Sequence, residues 1–255
     1  MDELLSIAID AARAAGALLL ERFSQPGSGV GTKSSGTDMV SDADRAAEAL
    51  IGERIGRARP ADGVLAEESA ESIGSSGVRW IVDPLDGTTN FLYGIPHWAV
   101  SIAAERDGRT LAGVVYDPTR AELFAATHDR GATLNGTPVR VSSQQDLHEA
   151  LVSTGFSYAS GERATQARLL ERVLPAVRDL RRAGAASLDL AWVACGRTDA
   201  FFEAGLAPWD RAAGELIVRE AGGVVGSMPA VGPKGDGAIA AGPGIFEALR
   251  ALVTG

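Results

Sequence analysis

The stretch Trp80-Ile81-Val82-Asp83-Pro84-Leu85-Asp86-Gly87-Thr88-Thr89-Asn90-Phe91 constrains this chain more than any other. A short apolar run reads as a buried strand, and it leads into two carboxylates three residues apart, a glycine and two hydroxyls. Pro84 disfavours a helical backbone at the residue before it, so Asp83 is held extended, and the strand is expected to finish there and turn. Asp86 lies one tight bend later and can point into the same volume. The carbonyl of Leu85, between them, is expected to stand free of any ladder. Two carboxylates and a carbonyl are hard oxygen donors of the kind Mg²⁺ prefers. Gly87 lets a bulky group approach the backbone. Thr88-Thr89-Asn90 reads as a helix start, where unpaired N–H groups and the dipole favour an anion such as phosphate. Against this, Asp-Pro and Asp-Gly are common turn formers, and a DPxDG segment read alone is more often a loop than a metal site.

The flanking elements frame that stretch. Residues 2–23 carry Leu4, Ala8, Ala11, Ala15, Leu18 and Leu19 at helical spacing. Ser24 to Gly36 is rich in Gly and Ser and reads as a loop; it contains Lys33. A second helix follows Ser41, with Ala47, Leu50, Ile51 and Ile55 inward. Ser41 with Asp44 fits a capping box, which is the ordinary structural role for Asp44. Val64–Ala66 is a short strand, after which Glu67 and Glu68 read locally as a solvated loop. Alternating runs at 97–105, 111–116, 122–126, 132–134 and 139–141, with Asp107-Gly108 and Asn135-Gly136 as hairpin turns, predict a largely antiparallel sheet. Beyond it the periods alternate: strands at 151–154, 199–203 and 238–241, and helices at 163–173, 187–194, 208 to about 221 and 245–253. Pro208 occupies the favoured first helical position. Helices layered on sheets predict an α/β or α+β fold, one domain over 1–255 with a subdomain break near Glu149, giving halves 1–149 and 150–255.

The chain of 255 residues is 45% hydrophobic, enough for a large core, and its net charge of −9 argues against nucleic acid or an anionic membrane surface as partner. A phosphorylated small molecule stays compatible, because a bound divalent cation inverts the local field. The single cysteine, Cys195, excludes an internal disulfide framework and suits a reducing cytoplasm. The N-terminus lacks the basic region of a signal peptide, and no run approaches the ~20 apolar residues that span a bilayer. A cytoplasmic location is therefore expected.

Four acids now stand out. Glu67 lies past one strand end, Asp83 and Asp86 at the next, and Asp210 in the first turn of the helix beginning Pro208-Trp209. Each has an ordinary structural role by itself; for Asp210 it is complementing the helix dipole. As a set they could converge on two or three cations.

Asp83-Pro84-Leu85-Asp86-Gly87-Thr88-Thr89-Asn90-Phe91 resembles the first signature of the inositol monophosphatase family. Trp209-Asp210-Arg211-Ala212-Ala213-Gly214, leading to Glu220-Ala221-Gly222-Gly223, resembles the second, and Glu67-Glu68-Ser69 the motif between them. The likeness extends to Lys33-Ser34 with Asp38 and Asp44, to Asn135-Gly136 and to the Arg181–Glu203 segment, nearly the whole chain. It implies a layered α-β-α-β-α sandwich of the inositol monophosphatase and fructose-1,6-bisphosphatase type. It implies two or three Mg²⁺ per site: one on Glu67, Asp83 and the Leu85 carbonyl, a second on Asp83, Asp86 and Asp210, and a third reached by Glu67. By the same likeness Thr88 and Glu67 orient and help deprotonate the attacking water, and the phosphate sits on the N–H groups of Gly87 and Thr88. Lys33, Asp38 and Asp44 are accessory positions. A homodimer and lithium sensitivity belong to the same implication. Ala66 departs from the pattern, since the family usually has glycine before the paired glutamates; alanine adds strain only if the position needs positive φ.

The likeness covers enzymes acting on inositol phosphate, histidinol phosphate, fructose 1,6-bisphosphate and nucleotide 3′-phosphates. Three features favour myo-inositol 1-phosphate: Thr89 where histidinol-phosphatase-like members often carry lysine, Glu203 seven residues before Asp210 as an acceptor for ring hydroxyls, and Gly184-Ala185-Ala186 as a small-residue wall beside the ring. Asp86, Ala186, Glu203 and Asp210 are the expected substrate contacts. Some bacterial relatives act instead as binding partners of the transcription machinery, and the acidic net charge lends that alternative no support.

Overall fold

The computed structural model describes residues 3–23, 30–32, 39–232 and 235–255, with backbone alone at 30–32 and 39–41. In chain order the first half comprises α1 (Glu3–Phe23), β1 (Val30–Thr32), β2 (Met39–Ser41), α2 (Asp42–Ala58), β3 (Gly63–Ala66), β4 (Val78–Asp86), α3 (Thr88–Leu92), β5 (Ala99–Arg106), β6 (Arg109–Asp117), β7 (Glu122–Thr127), β8 (Ala132–Leu134) and β9 (Thr137–Pro138). The second half adds β10 (Leu151–Thr154), α4 (Ser160–Val173), β11 (Asp179–Arg181), α5 (Ala186–Ala194), β12 (Ala200–Glu203), α6 (Pro208–Glu220), β13 (Val224–Met228), β14 (Gly237–Ala241) and α7 (Phe246–Thr254).

Among the described residues the strands form a two-stranded ribbon β1-β2, a seven-stranded sheet in the order β3-β4-β5-β6-β7-β8-β9, and a five-stranded sheet in the order β11-β10-β12-β14-β13. In the larger sheet only β3 and β4 run parallel. Side-chain alternation along central strands divides the core. Trp80 and Val82 of β4 face α1 and α2, while Ile81 between them faces α5 and α6. Phe201 of β12 faces that same middle layer, and Phe202 faces α4 and α7. The order of layers is therefore α-β-α-β-α, with α5 and α6 sandwiched between the sheets. This is the expected architecture, and its middle layer explains why α5 is nearly apolar all round: eight of its nine residues are buried.

Small residues set the layer spacing. α1 buries Ala8, Ala11, Ala12, Ala15 and Gly16, and a side chain at Gly16 would come within 2.6 Å of the Tyr116 ring on β6. Gly113 on β6 receives α6 in the same way, with an added Cβ 3.0 Å from the backbone of Ala213.

Several local expectations change. β4 does not stop at Asp83 but continues through Pro84 to Asp86, with its register against β5 shifted between those two acids. The irregularity absorbs the proline's missing donor without ending the strand. Part of the supposed 24–36 loop is a strand, β1, paired to β2. The expected strand at 139–141 is absent; β9 is Thr137–Pro138 alone, because the two-residue turn at Asn135-Gly136, with φ 50° and 80°, forces pairing to resume at once. β11 and β13 had no alternating pattern to announce them. Ala66 lies in β3 and is absent from the positive-φ positions, so its departure from glycine carries no backbone strain. Among the described residues no helix is long and apolar enough to cross a membrane.

Candidate active site

The cleft lies where the end of β4, the start of α6 and the start of α5 meet. Asp83 and Asp86 are 1% and 8% exposed. Asp83 Oδ1 accepts the N–H of Leu85 at 3.0 Å, an Asx-type bond that holds the irregular turn. Asp83 pairs with Ser101 on β5, and the Ser101 hydroxyl donates to the carbonyl of Trp209 at 3.2 Å. That bond joins the packing of Ala213 on Gly113 in fixing the first turn of α6 to the sheet, with Asp210 at the cleft. Asp210 Oδ2 in turn accepts the N–H of Ala207 at 2.7 Å, so its capping role and its place in the cleft coexist.

A clasp from the second half of the chain completes the site. Asn90 donates to the carbonyls of His97 at 2.8 Å and Ala183 at 2.9 Å. This seats the 183–186 segment against Gly87, whose φ of 92° is left-handed and whose missing side chain makes room for the carbonyls of His97 and Gly184. Ser187, in the first turn of α5, donates both its N–H, at 2.7 Å, and its hydroxyl, at 2.5 Å, to Asp86 Oδ2.

Glu67, Asp83, Leu85, Asp86, Gly87, Thr88, Ala186, Glu203 and Asp210 all line this one cleft. Lys33 and Asp38 lie outside the described residues. Asp44 is fully buried, and its Oδ1 accepts from the Thr88 hydroxyl at 3.1 Å, a partner 44 residues away. The same hydroxyl faces the Leu85 carbonyl at 3.0 Å. One proton shared between two acceptors leaves the oxygen's lone pairs to accept from a third group, so Thr88 is set up as an acceptor toward the cleft.

Electrostatically the cleft is crowded with negative charge. Burial pushes Asp86 up to about 6, with the Glu67 charge adding to it, while the hydrogen bonds from Ser187 and Ala186 hold it down. Four carboxylates and a carbonyl oxygen around one cleft make an all-oxygen donor set that suits a hard divalent cation, which would also relieve their mutual repulsion.

Sequence reasoning missed four contributors. Ser187 sits in a run of small residues with no local signal. Arg182 and Tyr158 also line the cleft; Arg182 does so while exposed like Arg178 and Arg181, as a solvated cluster would be. Asp189, in the first turn of α5, is 1% exposed, and burial together with the charges of Glu203 and Asp86 raises its carboxyl well above the usual range.

Another acidic group lies elsewhere. His128, Asp129 and Glu220 offer ligand atoms within 4.8 Å of one another. Glu220, however, already accepts the N–H groups of Asp129, Arg130 and Gly131 at 2.8, 3.0 and 2.8 Å. It ties the β7–β8 turn to the end of α6, which explains the glutamate of the Glu220-Ala221-Gly222-Gly223 segment as an anchor.

With that geometry in place, comparison with known proteins is decisive. The family model described as "Inositol monophosphatase family" matches residues 1–251. The chain belongs to the inositol monophosphatase family. The Nus factor SuhB of Escherichia coli K12 is 47% identical over 227 residues, 88% of this chain and 85% of that protein. The structure of the extragenic suppressor protein suhB of Bartonella henselae superposes with a TM-score of 0.93 at 43% identity, covering 100% of both chains. The inositol monophosphatase of Anabaena superposes with a TM-score of 0.84 at 36% identity, covering 97% of this chain and 94% of that one. Family membership and the layered fold agree with the expectation from the motifs.

Proposed function

We propose that the protein is a Mg²⁺-dependent phosphomonoesterase that hydrolyses myo-inositol 1-phosphate to inositol and phosphate. The observation that carries this reading is the convergence of Glu67, Asp83, Asp86 and Asp210 with the Leu85 carbonyl beside the Gly87–Thr88 turn. Glu67, Asp83 and Leu85 would hold one ion, Asp83, Asp86 and Asp210 a second, and Glu67 would reach a third. Bound Mg²⁺ supplies activation of water and neutralisation of charge on the leaving oxygen. The chain's own groups do the rest. Thr88, its proton committed to Asp44 and Leu85, accepts from the attacking water, with Glu67 alongside. The N–H groups of Gly87 and Thr88 receive the phosphate oxygens. Ser187 holds Asp86 in place. Glu203 accepts from the alcohol's hydroxyls against the small wall at Ala186, and Lys33 and Asp38 are accessory.

The test is phosphate release with Mg²⁺ from inositol 1-phosphate, histidinol phosphate, fructose 1,6-bisphosphate and a nucleotide 3′-phosphate, with Asp83→Asn as the blank. The asparagine keeps an Oδ1 acceptor for the Leu85 N–H, so the turn survives while the charge is lost. Preference for inositol 1-phosphate by kcat/KM is expected, with at least a 1000-fold drop in Asp83→Asn. Preference for another ester keeps the metal chemistry and replaces the substrate. Release equal to the blank on every ester removes the enzyme reading.

A second reading has one specific support: relatives near 46% identity carry the name Nus factor SuhB. On it the protein acts as a binding partner of transcription machinery, and the expectation of no nucleic-acid context narrows to no direct phosphate-backbone binding. Asp83→Asn that abolishes turnover yet supports cellular function would favour that role. We take 1–255 as one cytoplasmic domain forming a homodimer inhibited by lithium. Light scattering and a lithium titration of phosphate release check the last two.

A further inference from the structure

Glu203 ends β12 and faces the cleft from the five-stranded sheet. Two glycines far apart in sequence leave the space it fills. At Gly237, which opens β14, an added Cβ would overlap the Glu203 carbonyl and press on the Cα of Ala204 at 2.6 Å. At buried Gly155, just past β10, an added Cβ would overlap the carboxylate itself, both oxygens and the carbon between them. Neither glycine has a left-handed backbone. Their backbone angles do not require glycine; the space does.

Beyond the Glu203–Gly155 contact lies a second cavity. Gly155, Phe156, Glu203 and Ala204 border both it and the cleft. Its far walls include Leu169, Phe202, Met228 and Val253. A carboxylate driven off its seat has two destinations. One is this cavity, whose wall also carries Gln166, Arg168 and Arg172, groups that would hold an ionised acid away from the cleft. The other is the cleft, where the Mg²⁺ held by Asp83, Asp86, Glu67 and Asp210 would draw it toward the metal ligands and away from the alcohol's hydroxyls. The position over the Gly155 Cα avoids both.

We infer that Gly155 is a specificity-determining position for the leaving alcohol, acting through Glu203 by holding that carboxylate at the boundary between the cleft and the second cavity. This rests on Glu203 as the hydroxyl acceptor, the reading given above. Gly155 is a positioning residue on this account, and a double-mutant cycle separates it from a merely structural glycine.

The cycle uses the wild type, Gly155→Ala, Glu203→Ala and the double variant. Each is assayed with Mg²⁺ on inositol 1-phosphate and on p-nitrophenyl phosphate, which lacks vicinal hydroxyls, and each is melted. Losing hydrogen bonds to a charged group lowers the inositol-to-aryl ratio of kcat/KM by about 10- to 100-fold. That fall is expected in Glu203→Ala and in Gly155→Ala, with no further fall in the double variant. The Tm lost in Gly155→Ala should return in the double variant, where the overlap is gone. A Gly155→Ala protein that folds only when Glu203 is also truncated supports the seat. The inference is overturned if Gly155→Ala keeps the wild-type ratio, or if its ratio and Tm losses are the same in both backgrounds, or if neither protein carrying Gly155→Ala folds. A wild type without preference for the polyol ester, or a Glu203→Ala that retains it, removes the Glu203 reading instead, and the Tm cycle still judges the seat.

Discussion

Ser187→Ala tests the electrostatics of the cleft most directly. In the wild type the Ser187 hydroxyl and N–H both donate to Asp86 Oδ2, at 2.5 and 2.7 Å, inside a site where that carboxylate is 8% exposed. Alanine removes the hydroxyl bond and leaves the N–H bond. A hydrogen bond to a charged group contributes about 1.5–3 kcal/mol, so the ionised form of Asp86 loses roughly 10- to 150-fold relative to the protonated form. Asp86 already titrates near 6. Proton and cation compete for the same oxygens, so Mg²⁺ binding by the variant should weaken most at acid pH. The ratio of apparent Kd between variant and wild type should reach about 10-fold or more at pH 6 and close toward one by about pH 9, where both are ionised. Calorimetric Mg²⁺ titrations at four pH values from 6 to 9 read this out without any substrate. A ratio that does not change with pH, or no weakening at pH 6, would refute the claim that Ser187 acts by stabilising the Asp86 carboxylate.

Other expectations follow from single contacts. Glu220→Gln places an amide against the three N–H donors of the β7–β8 turn. It should cost about 1–3 kcal/mol and lower Tm by several degrees, with kcat little changed, because Asp210 lies at the opposite end of the 13-residue α6. His97 is held near 4 by burial and by the Arg120 and Arg197 charges, so it contributes stability above pH 6.5 that is lost as pH falls toward 4, about 3 kcal/mol in all. Asp86 works the other way in metal-free protein, since its raised pKa makes stability decline as pH rises from 3.8 to about 6. Asp189, whose carboxyl is also raised by burial, acts in the same direction as Asp86, so in urea melts in EDTA His97→Gln should gain stability relative to the wild type as pH falls from 6.5 toward 4; parallel profiles would contradict this. Gly16→Ala drives a methyl to 2.6 Å from the Tyr116 ring and should cost about 1–3 kcal/mol by chemical denaturation.

The alternating strands at 99–106 and 109–117, the Asn135-Gly136 turn and the small-residue face of α1 were legible because each rests on a period or a turn preference contained in a few neighbouring residues. The Asp83–Thr88 stretch was legible as a chemical device for the same reason. Local rules misjudged the stop at Pro84, because pairing with β5 carries the strand past it to Asp86. Glu220 had a motif but no visible role, since its partners lie some 90 residues away.

By itself the sequence determined which chemistry was on offer: carboxylates at strand ends, a glycine open to close approach and hydroxyls at a helix start. Tertiary structure alone decided how those groups meet. The packing of α6 on the sheet and the Ser101–Trp209 bond bring Asp210 to the same cleft as Asp83. Asn90 and Ser187 clasp the second half onto the first, and Gly155 clears the seat of Glu203. These contacts join residues far apart in the chain, and no local pattern can encode them, because their strength depends on burial and on distances that exist only after the layers have packed.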